Sequence, residues 1–305
     1  MTPMPELRSN GAWNDAEILR ESGRWVHVPP SGVLVEDEER FLVLLPANGG
    51  ASRVWRSRPE RTRAGALIRQ TIEEARARGG SRLVWHTGNG VSPPFMDGLL
   101  REHGFAMNED LEVLAFEMGT GPEPVLPRLR IPPDVQVRTI EDEAGLRRAH
   151  AIEARVFPAS TPAVPDVRAY LLGLDALRRG VIPPDLASMP RAFRCLAFVR
   201  VRPAGAWETA ATAGAELSDQ TLRLWGAATL PELRRRGAYR ALVIERCRHA
   251  HALGATLALA KANGASSAPI LRAAGFRNVA AERRYTLDLG GDGRPEPREP
   301  TSTFD

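Results

Sequence analysis

The sequence predicts a mixed α/β fold made of two copies of one helix–strand–helix–strand unit, on three observations. The first is a repeat. Ala66 to Gly79 and Ala241 to Gly254 align as helices, followed by short apolar strands at Arg82 to His86 and Thr256 to Ala260. Leu99-Leu-Arg-Glu-His-Gly104-Phe105 then mirrors Ile270-Leu-Arg-Ala-Ala-Gly275-Phe276, with closing strands at Glu112 to Met118 and Arg284 to Leu289. The second is a connector, Gly119 to Pro133, whose prolines and glycines suit an extended chain. The third is length: 305 residues accommodate two domains of ~100–200 residues each. The expected division is a first unit over 1–119, a linker over 120–133, a second unit over 134–290 and a Pro/Gly/acid-rich disordered tail over 291–305.

In the second unit, Val135 to Thr139 alternates as a strand, and Glu141 to Val156 is helical, with Leu146, Ala149, Ile152 and Val156 on one face. Residues 158–192 hold prolines around a helical Val167–Arg178 segment, and Cys195 to Val201 with Glu208 to Leu217 form a strand pair. Leu222 to Leu230 is an apolar run that reads as a buried strand, stopped by Pro231, which cannot donate to a ladder. A basic, glycine-containing turn follows. Tyr239 to Leu253 then has helical periodicity, with Ala241, Leu242, Ile244 and Cys247 on one face. Ser266 or Ser267 caps a last helix with Pro269 in its first turn, and Gly275 ends that helix where positive φ is wanted.

A strand, a turn with free amides and a helix N-terminus make an anion site, and Arg234, Arg235 and Arg236 add charge there. Alone, the turn also reads as an Arg-rich helix start on a solvated surface. The segment Arg234-Arg-Arg-Gly237-Ala238-Tyr239 resembles the acyl-CoA-binding signature, Arg/Gln-x-x-Gly-x-Gly/Ala, of the GCN5-related N-acetyltransferase (GNAT) family. It departs at Tyr239, where a small residue is usual, so either that ring points away from a pyrophosphate or that part of the loop binds it less closely. The segment from Lys261 to Phe276 is similar to the family's second cofactor segment: an Asn after a strand, a hydroxyl residue, a helix, then Gly-Phe. Both segments in this order are a stronger signal than either one.

The resemblance spans about residues 135 to 289 and implies tandem GNAT folds, each a mainly antiparallel mixed sheet flanked by helices. It implies acetyl-CoA as cosubstrate without a metal, and acetyl transfer directly to a primary amine of a small molecule or peptide. The backbone of Ala227, Ala228, Thr229 and Leu230 would meet the pantetheine arm and the thioester oxygen. Arg234 to Arg240 would hold the pyrophosphate, and the Asn263 side chain would meet the arm. The 158–192 segment sits where the family places its variable, substrate-covering part. Proton transfer is poorly marked. Many members carry a Tyr four residues before the Gly-Phe glycine, and Leu271 stands there. Ser267 or solvent would then protonate the thiolate. Glu216 is the first candidate base and Asp219 the second, although both also read as solvated hairpin residues. A non-catalytic acyl-CoA-binding regulator is the rival from another class.

The upstream copy lacks this chemistry. Ser57-Arg-Pro-Glu-Arg-Thr-Arg-Ala64 has no glycine before the helix, so CoA should not bind there in the family manner. Trp85, His86, Pro93 and Pro94 occupy its cleft region. It either shapes the second unit's substrate cleft or serves as scaffold.

Composition removes other classes. At 43% hydrophobic and 26% charged, the chain is ordinary globular protein. Its net charge of +4 and pI near 9.6 could suggest nucleic acid, but Lys261 is the only lysine and the arginines alternate with acids, as on a solvated helix face. No nucleic-acid or membrane partner is therefore expected, while a homodimer is compatible with the sequence. There is no apolar signal core or membrane span, and Cys195 and Cys247 both read as core thiols, so a cytoplasmic location is expected. His249 and His251 point to different helix faces and form no metal pair, and HExxH, GxSxG and GxxxxGK[ST] are all missing.

Overall fold

The structure is a computed structural model that describes residues 12–26, 28, 32–46, 50–88, 90–157, 167–180, 191–202 and 205–290. The tail 291–305 and most of the 158–192 segment outside its helix lie beyond the described residues. In chain order the elements are α1 (Asp15–Gly23), β1 (Val33–Glu36), β2 (Arg40–Leu44), β3 (Ser52–Ser57), α2 (Arg61–Ala77), β4 (Arg82–Gly88), α3 (Met96–Glu102) and β5 (Ala106–Glu117). After the linker come β6 (Val135–Thr139), α4 (Glu143–Val156), α5 (Val167–Arg179), β7 (Arg191–Arg200), β8 (Trp207–Ser218) and β9 (Thr221–Thr229). They are followed by α6 (Ala238–Ala252), β10 (Leu257–Asn263), α7 (Ser267–Ala273) and β11 (Arg277–Asp288).

All eleven described strands join one sheet, in the order β1-β2-β3-β4-β11-β5-β10-β9-β8-β7-β6. The two closing strands have changed places. β11 pairs antiparallel with β4 from Arg82↔Asp288 to Gly88↔Glu282, and β5 pairs antiparallel with β10 from Leu257↔Glu117 to Asn263↔Leu111. β5 and β11 pair with each other at the centre. The boundaries expected at 119 and 134 therefore mark the linker in the chain but do not divide the sheet. Each unit completes the other.

The cores record the same exchange. Tyr285 and Leu289, from β11 and its end, are buried with Leu42, Ile68, Trp85 and Phe105 of the first unit. Leu114, Phe116 and Met118 of β5 and its end are buried in the second unit's core, where the Phe116 and Phe276 rings lie 5.1 Å apart. α1 closes a third cluster, Ile18 with Ala115, Leu257 and Leu259. Its start is a capping box: Asn14 accepts the Glu17 N–H and Glu17 accepts the Asn14 N–H, each at 3.0 Å.

The linker is docked rather than a free extended spacer. The Val125 N–H donates to the Met118 carbonyl at 2.8 Å, the Arg128 N–H donates to the Ala274 carbonyl at 2.9 Å, and Leu126 and Leu129 pack on the second core. Among the described residues no helix is long and apolar enough to cross a membrane.

Candidate functional site

The site is built on β9. Thr229 faces Ala211 and Ala228 faces Thr212, but Trp225 faces Gly214, so Gly226 and Ala227 oppose Ala213 alone. This is a β-bulge, taken by Gly226 at φ +61°. Leu230 donates its N–H to the Ala210 carbonyl at 2.9 Å. Antiparallel alternation then turns the N–H and C=O of Thr229 to the opposite edge. On that edge β10 is leaving, since its parallel pairing with β9 runs only from Thr221↔Leu257 to Leu224↔Ala260. From Trp225 onward the edge of β9 has no ladder partner.

Two side chains hold the bulge open. Trp225 lies against Gly214, where an added Cβ would fall 2.4 Å from the indole, and the buried Arg194 guanidinium, paired with Glu153, sits 5.4 Å over the same ring. Arg246 of α6 reaches the bulge from within the core. It donates to the carbonyls of Gly214 at 2.7 Å, Trp225 at 3.4 Å and Leu242 at 3.0 Å. Burial lowers its pKa, and it makes no ion pair among the described residues. Carbonyl bonds are what make a fully buried guanidinium tolerable.

After β9, a single 3-10 turn over Pro231–Leu233 leads into the arginine turn. Arg235 takes φ +64° and Gly237 φ +88°. A left-handed arginine costs ~1 kcal/mol, a strain that ordinary surface turns avoid. Gly237 is the N-cap of α6 and supplies no side-chain cap, so the first-turn amides are left for an anion. The left-handed turn, the uncapped helix and the unpartnered strand edge together fit a pyrophosphate joined to an extended arm.

Two cavities flank this turn. The larger, about 460 Å³, is lined by the predicted residues Thr229, Arg235, Gly237, Ala238, Tyr239 and Arg240. The smaller, about 120 Å³, lies in the β9–β10 splay and is lined by Ala227, Tyr239 and Ser267, with Trp225, Lys261 and Leu271. Tyr239 lines both. Its ring packs on the core, and burial pushes its hydroxyl up to about 12, with Arg246 pulling the other way.

Other predicted residues line neither cavity. Ala228 and Leu230 direct their N–H groups toward β8, and Arg234 and Arg236 lie outside both linings. Asn263 turns its Oδ1 back to the Ala265 N–H at 2.9 Å and the Ser266 hydroxyl at 3.3 Å, closing the β10–α7 turn. Ser266 stands at the N-cap but makes no capping bond. Glu216 is drawn into a cross-strand ion pair with the directly opposed, buried Arg223 at 2.8 Å. Glu216, the first candidate base, lines neither cavity, and the charge that engages it faces it directly in the ladder.

Several residues were missed. Arg128, Leu129 and Arg130 reach the larger cavity from the linker, and Arg246 and Lys261 reach the smaller one. Arginine on the apolar face of α6 was the available signal for Arg246. Lys261 pairs with Glu282 of the exchanged β11 at 2.9 Å, both side chains being buried, and burial is the main cause of its lowered pKa. Cys195 and Cys247 are free and buried, with burial pushing both thiols up to about 12. Among the described residues no cluster of three or more His, Cys, Asp or Glu side chains could hold a metal.

The first unit repeats the strand geometry without the site. Arg53-Val-Trp55 of β3 parallels Arg223-Leu-Trp225 of β9, and the β3–β4 pairing likewise ends at Val54↔Trp85. One step beyond, the Trp55 and His86 rings stack at 4.5 Å and 26°, in the position of the second unit's smaller cavity. No described residue from 51 to 78 has positive φ, so there is no amide nest. Trp85 is core, donating to the Ser57 hydroxyl at 3.0 Å.

Solved structures share this architecture. A GCN5-related N-acetyltransferase from Kribbella flavida is similar with TM-score 0.59 and 20% identity, covering 86% of this chain and 91% of that one. One from Sphaerobacter thermophilus gives TM-score 0.57 and 17% identity, covering 87% of this chain and 84% of that one. A tandem GNAT protein from the clavulanic acid biosynthesis pathway gives 0.51 and 16%, covering 90% and 89%. No protein-family model matches the sequence, and no curated protein does. Identities this low speak for the fold alone. The chain has the GCN5-related N-acetyltransferase fold in its tandem form, with two units completing one sheet.

Proposed function

We propose that the second unit binds acetyl-CoA and transfers its acetyl group directly to a primary amine of a small molecule or peptide. One observation carries the reading: the unpartnered edge of β9 runs straight into the uncapped N-terminus of α6 through a turn with two left-handed residues. When bound, the thioester supplies an activated acyl group and a thiolate that leaves readily. Thr229 pairs with the amide-bearing arm as an added strand would, and the role of binding the thioester oxygen falls to the backbone N–H of Ala227, a residue that lines the smaller cavity next to the bulge. The amides of Ala238 to Arg240 hold the pyrophosphate. Tyr239 stays protonated at neutral pH, and with Ser267 it offers the smaller cavity a hydroxyl that Leu271 does not. The Trp55–His86 stack and the missing nest support a scaffold role for the first unit. Two free, buried thiols suit a reducing cytoplasm.

A non-catalytic acyl-CoA-binding role is favoured by Leu271 in the smaller cavity and by the ion-paired Glu216. Calorimetric titration with acetyl-CoA, followed by free-thiol release across an amine panel, separates the two. Binding with turnover on one amine supports the transferase, and binding without turnover supports the regulator. Gly237→Glu should abolish binding in both cases, because it puts a carboxylate against the pyrophosphate and a side chain where Pro132 Cδ lies 2.6 Å from an ideal Cβ. Unchanged affinity in that variant would show that this turn is not the donor site.

A further inference from the structure

The larger cavity has a wall that a passive connector would not provide. Arg128, Leu129 and Arg130 of the linker face Arg235 and Arg240 of the turn and helix across it. Four arginines and no acidic residue line it, and none of the four is ion-paired among the described residues. Exposed arginines elsewhere are of both kinds, Arg147, Arg155 and Arg178 having carboxylate partners and Arg69, Arg76 and Arg148 having none among the described residues. What sets this wall apart is four arginines on one cavity with no acid. The linker is also held in place. Arg128 is pinned through its N–H to Ala274, and Pro132 lies against Gly237, where a Cβ would sit 2.6 Å from its Cδ.

Charge counting gives this wall a ligand. Four guanidinium groups exceed what one pyrophosphate, at about −2, would neutralise, and a second phosphate monoester adds about −1.5 to −2. Leu129, Leu233 and Ile270 line the same cavity and supply apolar surface on which a flat base can lie. We infer that Arg128 and Arg130 form a second anion subsite for the ribose phosphate of a nucleotide-bearing thioester, so that the linker selects coenzyme A over shorter thioesters. This rests on the acetyl-CoA reading above and assigns the linker to the donor site.

The test uses the full chain, titrated with acetyl-CoA and with its 3′-dephospho form. Wild type should bind acetyl-CoA roughly ten- to hundredfold more tightly, as charge-assisted hydrogen bonds imply. Arg128→Ala with Arg130→Ala should lose that preference, weakening acetyl-CoA and leaving the dephospho form unchanged. Arg128→Lys with Arg130→Lys should keep most of it. Both arginines are exposed, so an unchanged unfolding temperature serves as the folding control. Equal weakening of both ligands, or no weakening, would overturn the subsite while leaving the acetyl-CoA reading intact. If wild type binds neither ligand, the acetyl-CoA reading fails and the subsite with it.

Discussion

Replacing Gly88 by alanine tests the exchange of closing strands. Gly88 ends β4 at φ +127°, opposite Glu282 of β11. A Cβ there would lie 2.2 Å from the Ala281 carbonyl oxygen and 2.9 Å from the Glu282 Cα. Both are backbone atoms of the exchanged strand, so no side-chain rotation relieves the clash. An L-residue in left-handed space costs ~1–2 kcal/mol. Overpacking against backbone adds ~1–3 kcal/mol, for a total of about 2–5 kcal/mol. At roughly 2 °C per kcal/mol for a chain of this size, the unfolding midpoint should drop by about 4–10 °C. Differential scanning calorimetry reads this directly. Gly98→Ala is the control: Gly98 lies within α3 with nothing within 4 Å of an added Cβ, and alanine is the better helix former by ~1 kcal/mol. If Gly88→Ala melts within about 1 °C of wild type, β11 does not abut β4 and the exchange is wrong.

The other predictions concern the same interior. His86 is held well below its usual pKa by burial, with Arg284, Lys261 and Arg53 adding to the shift. Below pH 6.5 the unfolded chain therefore takes up a proton that the folded one does not, and stability falls with pH by at most about 1.4 kcal/mol per unit. His86→Phe, which keeps a ring on Trp55, should flatten that slope in urea titrations between pH 7.5 and 5; parallel slopes would refute the assignment. Residues 134–305 expressed alone should give no cooperative transition, because both β4 and β5, the partners of β11, lie in the other half. Co-expression with residues 1–133 should restore one. A cooperatively folding monomer from 134–305 alone would instead mean that β10 accepts β11.

Much of the second unit was legible. The helix read from Tyr239 to Leu253 is α6 at Ala238–Ala252, the strand Val135–Thr139 is β6, and Gly237 and Gly275 both have positive φ. α1 and β1 to β3 were not read. β1 is mostly exposed, so it offers no apolar alternation, and α1 is a short helix with a single large apolar anchor, Ile18. Glu216 was placed correctly on its strand, yet Arg223, which ties it down, stands opposite only once β8 and β9 pair. The linker was recognised by its prolines, which say that it is extended and nothing about what it lies against.

The sequence alone determined most elements of the second unit, the repeat, the glycine-containing turn before α6 and the loss of that turn upstream. These depend on glycine, proline and side-chain periodicity, which act within a few residues. Only the tertiary structure decided that β5 and β11 trade places, that Asn263 and Glu216 are engaged by neighbours, and that Arg128 and Arg130 line the same cavity as Arg235 and Arg240. Every strand edge offers the same backbone donors and acceptors. Which edge a strand joins, and which cavity a connector walls, is settled by packing between residues far apart in the chain.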